Sequence, residues 1–116
     1  MKYVMLIMDT PNEPAAGTPE YGAWYGEVGA WYEKWGATGK LDGGHQLQGV
    51  ETAKTVRSTG VTDGPFIETK EFLVGVIVVE ADNLDAALAI AQELQDTRTS
   101  GAIEVRPILE ALFHGA

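Results

Sequence analysis

The chain reads as an α+β domain of ferredoxin-like βαββαβ order that forms a dimeric α+β barrel-like assembly. Three observations lead there. The elements alternate strand, helix, strand, strand, helix, strand along one domain of 116 residues, 1–116. Lys2–Asp9 and Phe72–Ala81 are apolar on both faces, as the central strands of such a sheet must be. Two helices cover only one face of the sheet, so the other face calls for a second copy packed sheet to sheet about a two-fold axis.

Each element has its own warrant. Lys2–Asp9 holds an unbroken apolar run, Tyr3–Met8. Thr10–Gly17, with two prolines and small residues, is a loop able to flex over a pocket. Thr18–Gly39 is the first helix, with Thr18 suited to the N-cap, Pro19 to the first helical position and Glu20 to the positive end of the dipole. Tyr21, Trp24, Tyr25, Val28, Trp31, Tyr32 and Trp35 recur at helical spacing. Such a stripe is first of all core. Six aromatic rings exceed what sheet coverage needs, so the alternative is that some of them wall a cavity, each apolar with one polar tip. Gly22, Gly26, Gly29 and Gly36 cost about 1 kcal/mol each against Ala. They mark either a close backbone approach or a loose helix.

Leu41–Val50 is Gly-rich, with Gln46-Leu47-Gln48 able to form a short strand. Thr52–Ser58 alternates and is rich in β-branched residues, so it is the better strand. Phe72–Ala81 follows, with Gly75 marking a bulge or a close approach. Asn83–Gln95 is the second helix, capped by Asp82, with Leu84, Ala87, Leu88, Ala91 and Leu94 as its inner stripe. Ala102–Arg106 is the last strand, and Pro107 is tolerable where it leaves an edge.

Composition removes several functions. Net charge is −9, which argues against direct binding of nucleic acid, whose phosphates need clustered Lys and Arg, and against an anionic membrane. There is no cysteine, hence no disulfide, thiolate nucleophile or Cys-based metal site. No leader of signal-peptide type precedes the first strand and no apolar run approaches about 20 residues, so a cytoplasmic protein is expected. The two histidines, His45 and His114, lack the spacing of a metal motif, and no phosphate loop or nucleophile elbow is present. Neither metal nor cofactor is expected.

Residues 60–71, Gly-Val-Thr-Asp-Gly-Pro-Phe-Ile-Glu-Thr-Lys-Glu, form a connection longer than a hairpin needs. Asp63-Gly64-Pro65 is turn chemistry, with the Asp63 carboxylate expected to accept backbone N–H bonds, and Phe66 and Ile67 can pin the loop to the core. It is either an ordered loop at the edge of a pocket or a long structural turn with solvated charges. Acid–base chemistry is what remains on offer. His45 offers an imidazole acid or base, and Asp63 can orient it if both loops lie at one end of the sheet. Arg57 and Arg106 can hold an anion in bidentate fashion, or pair with Glu104, Glu68 or Glu71 on the surface. The expected pocket lies between first helix and sheet, with Trp24, Tyr25, Trp31 or Tyr32 on its wall, Phe66 contributed by the loop, and His45 and Asp63 at its mouth. An acidic chain should prefer a neutral or aromatic ligand there, or an acid held by one of three arginines.

Asp63-Gly64-Pro65-Phe66 with Glu68-Thr69-Lys70-Glu71, Thr52–Arg57, and Gly101-Ala102-Ile103-Glu104-Val105-Arg106-Pro107 resemble the DGPF branch of the YCII-related proteins over roughly residues 43–110. The resemblance implies an α+β homodimer with clefts between sheet and helices. Some members look like acid–base enzymes with a His on the first helix and an Asp-Pro after the second. Here the first helix has no His and the later region reads Asp96-Thr97-Arg98, so that dyad does not transfer. Members of the branch also resemble companions of bacterial sigma factors. Three readings follow: a metal-independent enzyme acting on a small molecule, a module without turnover that binds a small molecule in a helix–sheet cleft or regulates, in the latter case linked to bacterial transcription, and a dimeric structural or interaction protein.

Overall fold

The structure is a computed structural model that describes residues 1–9, 19–66, 71–98 and 100–109. The loop at 10–17, the Thr18 cap, Ile67, Glu68 and Lys70 of the motif, and His114 lie outside the described residues. Eight elements run in order: β1 (Lys2–Asp9), α1 (Pro19–Ala37), β2 (Leu41–Gln46), β3 (Lys54–Arg57), β4 (Gly60–Asp63), β5 (Phe72–Glu80), α2 (Leu84–Gln95) and β6 (Ala102–Pro107), with a 3-10 turn at Val50–Thr52.

The main sheet is antiparallel in the order β2-β5-β1-β6, so the two strands apolar on both faces are the central ones. On one face Tyr3, Met5, Ile7, Ile77 and Val79 are buried under the helices, against Trp31 of α1 and Ala87, Ile90, Ala91 and Leu94 of α2. Each large apolar side chain buried this way contributes about 1.5–3 kcal/mol. Register pairs Val4 with Val78 and Leu6 with Val76 on the other face, where all four are half-buried. The described residues are 19 Å deep. That is the depth of a sheet and one helix layer, since a helix with its side chains is about 10–12 Å across.

Three expectations are corrected. The strand beside β5 is Leu41–Gln46, not Thr52–Ser58. Asp42-Gly43-Gly44 has poor strand propensity, but Gly44 lies close against β5: a Cβ there would sit a tight 3.1 Å from the Val76 carbonyl oxygen and 3.2 Å from Ile77 Cγ1. Close packing overrides propensity there. The segment at 52–58 does contain a strand, but β3 pairs with β4 in a separate hairpin, Lys54 opposite Asp63 and Arg57 opposite Gly60. Residues 60–63 are therefore strand rather than loop, and the turn is the two residues Ser58-Thr59, the preferred hairpin length. Third, α2 is capped by Asn83, whose Oδ1 accepts from the Ala86 N–H at 2.9 Å, and Ile90 takes the inner position while Leu84 and Leu88 are exposed. The α1 glycines 22, 26, 29 and 36 have open space where a Cβ would point, so no close backbone approach explains them.

Gly75 is both things the sequence suggested. Ile7 pairs with Gly75 and Met8 with Leu73, which leaves Val74 as the extra residue of a bulge. The His45 carbonyl lies 3.3 Å from where a Gly75 Cβ would be.

Candidate functional site

A cleft opens between α1 and the sheet at this bulge, with a volume of about 80 Å³ and an open mouth. Trp24, Val28 and Tyr32, spaced by four along α1, make one wall. Ile7 of β1, Val74 and Gly75 of β5, and His45 and Gln46 of β2 make the sheet side, and Leu94 and Arg98 close the α2 end. The bulge turns Val74 toward the helices, and Gly75 leaves the sheet low beside it. His45 pairs with Val76, so its side chain belongs to the face opposite Gln46 and Gly75, and its backbone borders the cleft.

The polar part is a buried network at the end of β1. Arg98 and Asp9 form an ion pair whose side chains are 5% and 4% exposed. Arg98 Nη2 donates to Asp9 Oδ2 at 2.5 Å and to the Met8 carbonyl at 2.9 Å, and Ser100 Oγ donates to Asp9 Oδ1 at 2.7 Å. Gln95 Nε2 steadies the same turn through the carbonyls of Ser100 and Gly101. Gly101, at φ +79°, permits it: a Cβ would fall 2.1 Å from the Met8 carbonyl oxygen. The Tyr32 phenol has its pKa raised above the usual value, by burial first and then by Tyr25, so it stays protonated and can donate or accept.

The structure distributes the sequence candidates over four places. Trp24, Tyr32 and His45 border the cleft. Trp31 is core, 3% exposed, donating its indole N–H to the Ile90 carbonyl at 3.1 Å and meeting Tyr32 edge-on. Tyr25 is exposed on α1. Arg57, Asp63 and Phe66 belong to the β3–β4 hairpin and its exit, where the Arg57 guanidinium lies 5.3 Å from the exposed Phe66 ring. Arg106 pairs with Glu104 at 2.9 Å on the sheet face away from the helices, where register sets it opposite Val4. Asp63 is not a lining residue of the cleft. Its carboxylate, 89% exposed, accepts from Lys54 Nζ instead of the backbone N–H groups expected of it. The turn is closed by other bonds, Thr55 Oγ1 to the Gly64 carbonyl at 2.7 Å and Gly64 N–H to the Ala53 carbonyl at 2.9 Å. Asp63→Ala should therefore cost less than about 1 kcal/mol in urea unfolding, the range of an exposed ion pair; a loss above about 2 kcal/mol would show a buried role.

Asp9 and Arg98 were missed as site residues because they are 89 positions apart and no local pattern links them. The available cue was a lone acid ending an apolar strand. Among the described residues no three His, Asp or Glu side chains converge as a metal ion would require, and no described helix is long and apolar enough to cross a membrane.

A four-stranded antiparallel sheet with two helices on one face, and a cleft between helix and sheet, defines an α+β protein of ferredoxin-like order. Within that class, the chain belongs to the YCII-related family, whose domain matches residues 1–112. It is 40% identical over 80 residues to "Uncharacterized protein R00369" of Rhizobium meliloti (strain 1021), a match covering 65% of this chain and 64% of that one. The match thus spans less than two thirds of that relative's length. A similar solved structure is 5-chloro-2-hydroxyhydroquinone dehydrochlorinase (TftG) from Burkholderia phenoliruptrix AC1100 in complex with 2,5-dihydroxybenzoquinone. It has a TM-score of 0.55 and 14% identity, with 93% of each chain covered. That likeness is one of fold.

Proposed function

We propose that this YCII-related protein is a homodimer that binds a small, planar, largely apolar molecule in the cleft between α1 and the sheet. The observation that carries the reading is the cleft's make-up: Trp24, Val28 and Tyr32 of α1 facing the aliphatic Ile7 and Val74 of the sheet, with Arg98, Gln46 and the Tyr32 hydroxyl among its few polar groups. Small-molecule sites usually have this composition. The dehydrochlorinase of similar fold holds 2,5-dihydroxybenzoquinone, an oxygenated ring, and such rings are the first ligands to try. Binding is favoured over acid–base turnover by a specific arrangement: register puts the His45 side chain on the other sheet face, and Asp63 is paired with Lys54 on the hairpin and is not a lining residue of the cleft. The Asp63–Phe66 motif of the DGPF branch then serves the hairpin rather than the chemistry.

Thermal shift and tryptophan fluorescence against substituted benzenes and quinones test the reading. A hit should raise the melting temperature through mass action and quench fluorescence, and Trp24→Ala should abolish both responses. No response to any ring compound would overturn it, and turnover of a hit would establish an enzyme.

The half-buried Val4, Leu6, Val76 and Val78 on the sheet face away from the helices support the dimer. Light scattering should give twice the subunit mass at micromolar concentration, and Val78→Asp should yield a folded monomer. A wild-type monomer would reject the dimer.

A further inference from the structure

We propose that the Arg98–Asp9–Ser100 cluster is the recognition element of the cleft, with Arg98 donating a hydrogen bond to an uncharged oxygen acceptor, such as a ketone or quinone carbonyl, on an aromatic ligand. The inference rests on the cleft being a binding site.

The donor comes first. Arg98 lines the cleft, yet its side chain is 5% exposed. Its Nη2 is engaged by Asp9 and the Met8 carbonyl, while its Nε is buried without a partner among the described residues. A buried donor left unpaired costs about 1–3 kcal/mol, and more on a charged group. A ligand oxygen reaching that nitrogen removes the cost at the moment of binding. The binding site therefore gains more from an acceptor here than an exposed arginine would.

Charge then selects the kind of acceptor. Asp9 is in direct contact with Arg98 and equally buried, so the pair presents no net charge. A carboxylate brought to Arg98 would meet Asp9 at close range and would surrender hydration on the side that faces this buried pair, which is expensive. Beside the pair, the polar side chains of the described lining residues are Gln46, Tyr32 and the Trp24 indole, with His45 on the opposite sheet face by register, and the Tyr32 phenol is held in its neutral form. The net charge of −9 adds to the bias against anions. A neutral carbonyl keeps the hydrogen bond and avoids both penalties. Its ring would lie along Trp24 and Tyr32.

The Asp9 side chain is fixed for this purpose by Ser100 Oγ, and Gly101 holds Ser100 in place by its approach to the Met8 carbonyl. Arg98 is thereby held with one edge committed to protein.

Three probes of similar shape separate these claims in calorimetry on the 116-residue chain: acetophenone, α-methylstyrene and benzoate. Acetophenone should bind at least about ten-fold more tightly than α-methylstyrene, which replaces the carbonyl oxygen with a methylene, because a site built for a polar group rejects the analogue that lacks it. Benzoate should bind more weakly than acetophenone. In Arg98→Lys, which keeps a cation beside Asp9 but has no Nε–H in that position, the preference for acetophenone should fall toward parity while near-UV circular dichroism is unchanged. The wild-type comparison stands by itself if that variant does not fold. Equal binding of acetophenone and α-methylstyrene overturns the proposal and leaves the cleft as a plain apolar site. So does undiminished preference in folded Arg98→Lys. Tighter binding of benzoate overturns the neutral-acceptor assignment. If none of the three probes binds and no ring compound shifts the melting temperature, the reading of the cleft fails and the proposal fails with it.

Discussion

Asp9→Ala should destabilise the protein by about 3–5 kcal/mol, the usual loss when one member of a buried ion pair is removed. The magnitude comes less from the attraction between Asp9 and Arg98 than from what is left behind. Arg98 would remain a buried guanidinium, held among the described residues by the Met8 carbonyl, and Ser100 Oγ would lose its Asp9 acceptor. Asp9→Asn should cost less, because an amide oxygen can still accept from one of the two donors. The double variant Asp9→Ala, Arg98→Met should recover part of the loss, since it removes the stranded charge along with its partner. Urea unfolding with an unchanged slope measures all three. A loss below about 1 kcal/mol for Asp9→Ala would mean that water reaches the pair and that it behaves as a surface bridge.

The fold was legible where burial imposes a pattern. Tyr3–Met8 and Phe72–Ala81 are apolar on both faces because they are the central strands, and no other placement would cover so many aliphatic side chains. The edge strand β2 was obscured because Asp42-Gly43-Gly44 reads as loop in one dimension, whereas in three Gly44 lies close against Val76 and Ile77 of β5. The β3–β4 hairpin was obscured differently. Gly60–Asp63 is short and polar, and its pairing with Lys54–Arg57 is satisfied locally, so it leaves no trace in the hydrophobic pattern. Of the candidate site, the aromatic wall could be read from α1 because helical periodicity places Trp24 and Tyr32 on one face. Asp63 could not be placed, since turn chemistry says that a chain reverses and not which way its side chains face. The Arg98–Asp9 pair joins the two ends of the sequence, and only the β1–β6 pairing brings it together.

Trp31→Ala should cost about 3–5 kcal/mol, the range for deleting a large buried aromatic. The sequence offered Trp31 as core or as pocket wall, and the structure makes the two roles separable on one helix. Trp31 is 3% exposed, packs in the cluster that joins α1 to α2 and the sheet, and spends its indole N–H on the Ile90 carbonyl. Removing it leaves a cavity lined by side chains that α1 holds in place, and it takes away the edge-on contact with Tyr32. Trp31→Phe should lose less, because most of the ring area stays, with about 1 kcal/mol assigned to the hydrogen bond. Trp24, half-buried at the cleft, is the control. Trp24→Ala opens space that already communicates with solvent, so its stability loss should be clearly smaller than that of Trp31→Ala while its effect on ligand quenching is complete. Guanidinium unfolding of the three variants, paired with fluorescence titration of the ring-compound hit, gives the decisive comparison. If Trp24→Ala is as destabilising as Trp31→Ala and still binds the hit, both rings are core and the wall of the cleft must be sought elsewhere.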